Sequence, residues 1–227
     1  MERYNINEVQ NCYNLAAQEY SAKFSDELEG KPFDRNLLTR FAKSAVPTGK
    51  YLDLGTATGH IADYLYKQGL KNITGVDIAE QALAVARLNY PHLKFENRNI
   101  FDTQLKDETI DGIVCFYGIV HFTYKEINRA IGEWKRILKP GGKALFSFHI
   151  GDDDSIRVEK FLDKENAKAT WNNFRVERIV VLLNNNKIEY DEVIIRYPYT
   201  NKEHPSKRCY IQFTKKRISK KNNSSKV

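Results

Sequence analysis

A short apolar strand that contains an acidic residue runs directly into a glycine turn between residues 51 and 60. The segment reads YLDLGTATGH, and a stretch with the apolar spacing of a helix follows it. Twenty-four residues after Asp53, Asp77 ends a second apolar run, ITGVD. Two strand-end carboxylates that flank a glycine turn suit a cofactor that carries a nucleoside. One acid orients the loop or meets a cationic group, and the other accepts the hydroxyls of a ribose.

Strands and helices alternate through the middle of the chain, which predicts a parallel sheet covered by helices on both faces. Right-handed crossovers make such a sheet doubly wound. The predicted strands are 50–54, 72–76, 93–97, 111–117 and 143–149. The predicted helices among them are 59–68, 79–89 and 123–138. Before the last strand, Pro140-Gly141-Gly142 is expected to make a sharp break.

The regions before and after this alternation predict a helical cap and a lid. Apolar residues have helical spacing over 4–29 and again over 33–45. After Gly151 we expect an acidic loop (152–154), a short strand (167–172), a helix (175–184) and two strands (188–197 and 208–214). The last two strands are typical of a hairpin that adds an antiparallel edge to a parallel sheet.

The expected organisation is one α/β domain over residues 1–214. Its parts are a cap at 1–46, a cofactor-binding core at 50–150, and a lid with the final hairpin at 151–214. Hydrophobic residues make up 41% of the chain and charged residues 29%, as in soluble globular proteins. No run approaches the ~18 apolar residues of a membrane span, and the start lacks a secretory pattern. Three widely spaced cysteines fit neither a metal knuckle nor a disulfide framework, so we expect a cytoplasmic location.

The net charge of +7 is concentrated at the C-terminus. Residues 215–227 contain six of the 36 lysines and arginines and no acid, which leaves 30 basic residues against 29 acidic ones elsewhere. Such a polar, Ser/Asn-rich end is expected to be disordered and solvated. Because it would contact polyanions only non-specifically, we expect no specific nucleic-acid partner.

The motifs resemble those of class I S-adenosylmethionine-dependent methyltransferases over roughly residues 10–215. This family has a seven-stranded sheet with one antiparallel strand. The segment 51–60 resembles its first motif, in which Gly55 and Gly59 hold the outer glycine positions and Ala57 replaces the middle glycine. The resemblance implies S-adenosyl-L-methionine as the cofactor.

The resemblance also implies roles for individual residues. Val76-Asp77-Ile78 resembles the second motif, in which the acid accepts the two ribose hydroxyls and the next residue packs on the adenine. Asn99 lies where the family often has an Asp beside the adenine amino group. Apart from the resemblance, Tyr20 on the predicted N-terminal helix is a candidate to close over the methionine carboxylate. The predicted cofactor-binding residues are Tyr20, Asp53, Gly55, Thr56, Ala57, Gly59, Asp77, Ile78, Asn99, Ile100 and Tyr117.

Two acid–base candidates, His121 and Tyr117, lie near the exit of the fourth predicted strand. A histidine there can take a proton from a hydroxyl or amine acceptor, and the alternative is a polar residue that is hydrogen-bonded within a loop. Core packing is likewise an alternative role for Tyr20. His149 precedes the acidic residues 152–154, but no second histidine is spaced for a metal, so no metal site is expected.

Three segments near the two ends of the chain resemble a subgroup of small bacterial-type members that act on small molecules. They are KPFDR at 31–35, RYPY at 196–199 and EHPSKR at 203–208. The residues predicted to line the acceptor pocket from the C-terminal side are Arg196, Tyr199 and His204.

The predicted activity is methyl transfer to a small-molecule acceptor by in-line displacement. Orientation of the reactants can supply roughly 7–11 kcal/mol of such a barrier. One alternative is a cofactor-binding protein without catalysis, which the departures at Ala57 and Asn99 leave open. A second is methylation of RNA or protein assisted by residues 215–227. A hydride-transferring enzyme is disfavoured because position 57 is Ala and position 60 is His, so the G-x-G-x-x-G fingerprint is not met.

Overall fold

The structure, a computed structural model of the chain, describes residues 4–217. Its helices are α1 (Ile6–Leu15), α2 (Ala17–Phe24), α3 (Pro32–Lys43), α4 (His60–Lys67), α5 (Glu80–Asn89), α6 (Tyr124–Ile137) and α7 (Val176–Asn185), with a 3₁₀ turn at Glu27–Gly30. Its strands are β1 (Tyr51–Leu54), β2 (Ile73–Asp77), β3 (Lys94–Asn97), β4 (Ile110–Phe116), β5 (Leu138–Ile150), β6 (Ser155–Val158), β7 (Ala169–Asn172), β8 (Tyr190–Arg196) and β9 (Lys207–Thr214).

Seven of these strands form one sheet in the order β3-β2-β1-β4-β5-β9-β8. The first five strands of that order are parallel to one another, while β9 is antiparallel to both β5 and β8. The predicted doubly wound, seven-stranded sheet with one antiparallel strand is therefore confirmed. The strands β6 and β7 pair with each other as a separate antiparallel sheet, called here the small sheet.

Helix α6 illustrates how the sequence pattern packs the core. Ile127, Ile131 and Trp134 recur at helical spacing and are all fully buried. Burial stabilises each large apolar side chain by about 1.5–3 kcal/mol relative to exposure. The helix begins with a capping box, in which Thr123 and Glu126 satisfy each other's backbone N–H groups.

The strand order reverses between β1 and β4, and this reversal positions the site. Chain connections leave the sheet in opposite directions at such a point, so a crevice opens outside the carboxyl ends of the strands. The loops after β1 and β4 approach closely across it. A Cβ atom on Gly55 would lie 3.1 Å from the Cα of Gly118, so this contact requires glycine or a shift of the backbone.

The predicted break at residues 140–142 is present as an irregularity inside β5, and the strand begins at Leu138 instead of at the predicted residue 143. The ladder between β4 and β5 pairs Ile110 with Leu138 and then Gly112 with Lys143. Four residues of β5, 139–142, therefore lie opposite the single residue 111 of β4, and the glycine at position 141 has a φ of +90°. The proline and glycines produce a bulge that keeps the strand in the sheet.

Two further details differ from the prediction. The helical pattern over 4–29 is divided at Ala16, whose φ of −95° and ψ of 10° end α1 and change the chain direction before α2. The strand β6 is absent from the predicted elements. It pairs directly with β7, and the segment that connects the two strands contains non-glycine residues with left-handed backbone, such as Leu162 and Asn166.

The basic C-terminal segment begins in ordered structure. The backbone N–H of Lys215 donates to the carbonyl of Gly142 at 2.9 Å, and its carbonyl accepts from the N–H of Gly141 at 2.7 Å. The prediction that disorder starts at residue 215 is therefore wrong at its boundary, because the strand bulge continues the pairing. Residues 218–227 lie outside the described part. Within 4–217, none of the helices has the length and apolar character needed to cross a membrane.

Candidate functional site

A cavity of about 970 Å³ lies at the carboxyl edge of the sheet, over the point where the strand order reverses. The helices α1 and α2 and the small sheet cover it. The part bounded by the loops after β1, β2 and β3 is called here the cofactor half, and the part at the ends of β4, β5 and β9 the acceptor half. The predicted residues that line the cavity are Tyr20, Asp53, Gly55, Thr56, Ala57, Asp77, Ile78, Asn99, Ile100, Tyr117, His121 and His204.

Asp53 lies in β1 with its carboxylate at the base of the cofactor half. It is almost fully buried and accepts a hydrogen bond of 2.5 Å from the hydroxyl of Thr56. Burial raises the pKa of Asp53 to about 6, although the bond from Thr56 opposes the shift. A cation bound beside this group would favour its ionised form.

Asp77 ends β2 and fixes the loops on either side of it. One carboxylate oxygen accepts from the backbone N–H of Ala57 and the other from that of Ala79, both at 2.9 Å. Burial raises the pKa of Asp77 above its ordinary value, and the two N–H groups oppose that shift. A carboxylate has about four acceptor positions, so each oxygen retains capacity for a hydroxyl donor from the cavity.

The turn between Asp53 and α4 is left-handed at three positions. The φ angles are +75° at Gly55, +46° at Ala57 and +89° at Gly59. This conformation costs alanine free energy that glycine does not lose. Gly59 does not line the cavity; it caps α4, where a Cβ would lie 2.7 Å from the ring of Phe95. Gly59 is therefore needed for the packing of the turn against Phe95, and it forms no part of the cavity wall where the cofactor was predicted to bind.

The residues after β2 and β3 form an apolar slot at one end of the cofactor half. Ile100 is buried and Ile78 is held at its backbone, whose carbonyl accepts from the side-chain amide of Gln10 at 2.7 Å. The side-chain oxygen of Asn99 accepts from the N–H of Phe101 at 3.1 Å. This bond fixes the amide beside the slot and leaves the oxygen one further acceptor position.

The other end of the cofactor half is closed by Tyr20 on α2, whose ring packs 4.5 Å from that of Phe24. Beside it lies His60, the first residue of α4. The Nε2 atom of His60 is 2.9 Å from a carboxylate oxygen of Glu27, while its Nδ1 atom is buried and has no partner among the described residues. A buried polar atom without a partner is costly, so His60 is a candidate to hydrogen-bond a ligand at this end of the cavity.

His121 is buried beyond β4 and is bonded at both ring nitrogens. Its Nδ1 atom lies 2.8 Å from the carbonyl oxygen of Thr170, which can only accept, so Nδ1 carries the proton. The Nε2 atom is therefore the acceptor for the hydroxyl of Tyr13, at 2.9 Å. Burial lowers the pKa of His121 to about 4, so the imidazole is neutral at pH 7.

Tyr117, directly after β4, has a φ of +56° and faces the acceptor half. Its hydroxyl lies 3.1 Å from that of Tyr210, which donates to Asp34 at 2.7 Å. The phenol of Tyr117 therefore donates along this chain. Burial raises the pKa of Tyr117, so it is a neutral hydrogen-bond donor and a poor base near pH 7. Its ring stacks on His149 at 5.0 Å.

Two of the three predicted acceptor-pocket residues do not line the cavity. Arg196 forms ion pairs with Asp34 at 2.9 Å and Glu203 at 2.7 Å, behind the cavity wall. The hydroxyl of Tyr199 accepts from the N–H of Phe33 at 2.9 Å, and its ring lies under the guanidinium of Arg196. These side chains join α3 to the final hairpin, so their predicted placement in the pocket is wrong. Only His204 of the three reaches the cavity.

Sequence reasoning missed several polar residues that line the cavity. Tyr13 lies seven residues before Tyr20, a spacing that places both on one side of a helical segment and could have indicated the pair. His60 follows the glycine turn directly, and Arg208 belongs to a segment that drew attention only as a motif. Within residues 4–217 there is no group of three His, Cys, Asp or Glu side chains able to hold a metal ion.

Comparison with known proteins agrees with this geometry. Residues 52–146 match the profile of a family described as methyltransferase domain. A malonyl-[acyl-carrier protein] O-methyltransferase from Pectobacterium atrosepticum is 30% identical over 146 residues, or 64% of this chain and 54% of that protein. A demethylmenaquinone methyltransferase from Chlorobaculum parvum is 30% identical over 95 residues, or 42% and 39%. The chain thus spans about half or less of these curated relatives.

The fold is also found among solved structures. A SAM-dependent methyltransferase from Methanosarcina mazei has the same fold with a TM-score of 0.66 at 20% identity. The match covers 74% of this chain and 92% of that one.

Proposed function

Because the chain carries a class I S-adenosylmethionine-dependent methyltransferase domain, we propose that it transfers a methyl group from this cofactor to a small acceptor. The observation that carries the proposal is one cavity wall. There, the carboxylates of Asp53 and Asp77 flank a left-handed turn at the carboxyl edge of parallel strands. The small sheet and the first two helices enclose the space beside it, which favours a small acceptor.

The residues of the cofactor half fit S-adenosylmethionine. Asp77 would accept the ribose hydroxyls, and the slot with Ile78 and Ile100 would hold the adenine. The unpartnered Nδ1 of His60, next to Tyr20, would meet the polar methionine end. Asp53 would stabilise the positive charge of the cofactor, since its own pKa of about 6 leaves it ionised at pH 7.

When bound, the cofactor supplies a methyl group that its positive sulfur already activates. The remaining task of the protein is to hold the acceptor in line and to exclude water, for which orientation is worth roughly 7–11 kcal/mol. An acceptor that loses a proton needs a base, and the neutral Nε2 of His121 is available through Tyr13. The Tyr13 hydroxyl would accept the proton while passing its own to Nε2, a transfer worth about 10²–10⁴-fold in rate.

The names of the relatives support a small acceptor. One acts on a malonyl group held by acyl-carrier protein and another on demethylmenaquinone, so both names specify acceptors other than nucleic acid. The three cysteines are unpaired and buried, which supports our inference of a reducing, cytoplasmic compartment.

The proposal is tested by measuring S-adenosylhomocysteine formation by mass spectrometry. Purified protein is incubated with S-adenosylmethionine and sets of small carboxylic acids, phenols, amines and thiols. We expect wild type to form product above background with one acceptor class. We expect no product with the Asp77→Asn variant, whose side chain matches aspartate in size and shape but lacks the negative charge. Product that forms equally in both proteins would contradict the assignment of this cavity.

A binding protein without catalysis is a second candidate, and one observation favours it. The Nε2 atom of His121, the neutral base of the cavity, already accepts from Tyr13 and is not open to an acceptor directly. This candidate predicts tight binding of S-adenosylhomocysteine with no turnover in any acceptor set. A macromolecular acceptor instead predicts that truncation after Arg217, which removes three lysines, abolishes activity.

A further inference from the structure

Arg208 is a buried cation in the wall of the acceptor half. It lies on β9 directly opposite His149 of β5, so the two side chains share one face of the sheet. Arg208 is 2% exposed, yet it lines the cavity together with His149. A charged side chain is rarely buried to this extent unless its hydrogen bonds and charge are satisfied.

The hydrogen bonds of Arg208 satisfy only one end of its guanidinium. Nη1 donates to the carbonyl oxygens of His204, at 2.6 Å, and Ser206. The Nε–H group is buried and has no hydrogen-bond partner in the described part of the chain. The edge of the guanidinium that carries Nε is thus without an acceptor.

The neighbouring carboxylate does not fill this position. An oxygen of Glu203 lies 3.7 Å from Nε of Arg208, which is beyond hydrogen-bonding distance. That carboxylate is instead held by Arg196, with contacts of 2.7 and 2.9 Å, and by the N–H of Tyr199 at 2.9 Å. Its geometry is fixed by these partners, so it cannot turn toward Arg208 without breaking them.

We propose that the Nε edge of Arg208, which lacks a hydrogen-bond acceptor, binds a carboxylate of the methyl acceptor. This inference rests on the proposed function, because it assigns the chemistry of the acceptor in the same cavity. The two parallel N–H groups along one edge of a guanidinium match the two oxygens of a carboxylate. A carboxylate in this position would supply the acceptor that the buried Nε–H lacks.

The surrounding charges favour an anion of single charge. Lys31 also lines the acceptor half, but Glu27 is 2.5 Å from it and a Glu203 oxygen is 3.6 Å away. Burial, and then the charge of Arg208, lowers the pKa of His149 to about 3, so this imidazole is neutral near pH 7. With Arg208 as the incompletely paired cation, a monocarboxylate suits the site better than a phosphate dianion, because the two glutamates repel a double charge more strongly than a single one.

The test follows the side-chain Nε–H signal of Arg208 by nuclear magnetic resonance in the full-length, arginine-¹⁵N-labelled protein. The probes are butyrate, its neutral counterpart butyramide, and inorganic phosphate, at constant ionic strength. The signal is assigned by its absence in Arg208→Lys, which keeps the charge but lacks the Nε edge. If that variant does not fold, contacts between the Nε proton and the His149 ring give the assignment in wild type.

We expect butyrate to shift this signal saturably and butyramide to leave it unchanged. In Arg208→Lys, the butyrate affinity measured from neighbouring amide signals is expected to fall about tenfold. No saturable shift with butyrate, or an equal shift with butyramide, would overturn the proposal. A tighter response to phosphate than to butyrate would also overturn it, since it would assign a phosphoryl group.

The same titrations are made with and without S-adenosylhomocysteine. Binding of butyrate to a protein that does not bind S-adenosylhomocysteine would retain this site and remove the proposed function. Binding of S-adenosylhomocysteine without any response at Arg208 would retain the proposed function and remove the carboxylate site at Arg208.

Discussion

The two halves of the cavity hold their polar side chains in different ways. In the cofactor half, the two carboxylates accept mainly from near neighbours in the chain. Asp53 accepts from Thr56, three residues away, and Asp77 accepts from Ala79, two residues away, and from Ala57, twenty residues away. In the acceptor half, the partners are distant in the chain. Tyr13 and His121 are 108 residues apart, and Tyr117 is bonded to Tyr210 of the cavity's supporting layer, 93 residues away. One half is formed by strand ends and the turns that follow them, and the other by contacts between separate elements.

This difference has a consequence for substitutions. A change at Asp53 or Asp77 is expected to remove a proposed ligand contact together with a bond to a neighbouring turn. A change in the acceptor half removes a bond that joins two elements, such as α1 to the loop after β4. We therefore expect substitutions in the cofactor half to change mainly the affinity for the cofactor. Substitutions in the acceptor half are expected to change turnover through the contacts that hold the covering elements over the cavity.

The largest expected effect lies in the cofactor half. Replacing Asp77 by Ala removes the proposed acceptor of two ribose hydroxyls, and hydrogen bonds to a charged group are worth about 1.5–3 kcal/mol each. We expect S-adenosylhomocysteine affinity to fall roughly 10³-fold in calorimetric titration. The Asp77→Asn variant retains one acceptor oxygen for the loop, and a melting temperature near wild type in it would separate lost binding from lost folding.

Replacing Tyr13 by Phe tests the acceptor half. The substitution keeps the ring but removes the hydroxyl that lies between the cavity and His121. We expect turnover to fall about 10²-fold, as for loss of a proton-transfer group, with cofactor affinity within threefold of wild type. Comparable turnover in Tyr13→Phe and wild type would show that the hydroxyl takes no part in proton transfer.

The pH dependence of cofactor binding tests the cofactor half further, because we propose that Asp53 faces the bound cofactor. Its carboxylate is ionised above a pKa of about 6 and neutral below it. Affinity for the cationic S-adenosylmethionine should therefore fall about tenfold between pH 7 and pH 5. Calorimetric titration between pH 5 and pH 7 measures this affinity. In the matched control, Asp53→Asn, we expect the affinity to be independent of pH over the same range.

Folding stability should change in the opposite direction over the same range. The folded-state pKa of about 6 for Asp53 lies above the ordinary value near 3.9. Between these values the folded state holds a proton that the unfolded state has released. The unfolding free energy of the cofactor-free protein therefore falls as pH rises from 4 to 6, by about 2 kcal/mol for this group. Urea unfolding at both pH values tests this, and equal pH dependence in Asp53→Asn would contradict it.

The smallest expected effect is at Ala57. Its φ of +46° is unfavourable for alanine and neutral for glycine. We expect Ala57→Gly to raise the unfolding free energy by about 0.5–1 kcal/mol, since relief of strain exceeds the added entropy of the unfolded chain. Ala62→Gly, inside α4, is the contrasting control and should lower it by about 1 kcal/mol. A loss of stability in Ala57→Gly would mean that the turn is not strained.

The residues of the cofactor half could be predicted from the sequence, whereas most contacts around the acceptor half could not. Asp53, Asp77 and the glycine turn could be placed because strand-end positions are read from local patterns, and the alternation of elements fixed the sheet. Arg196 and Tyr199 were misplaced because their role depends on Asp34 and Phe33, which meet them only in the folded chain. The Tyr13–His121 bond was missed for the same reason, since no local pattern joins residues so far apart.

The most direct test of this account is calorimetric titration of S-adenosylhomocysteine into wild type, Asp77→Asn and Tyr13→Phe. The account predicts binding by wild type, a large loss in Asp77→Asn, and binding by Tyr13→Phe within threefold of wild type. Absence of binding in wild type, or an equal loss in both variants, would contradict the assignment of the cofactor to one half of the cavity.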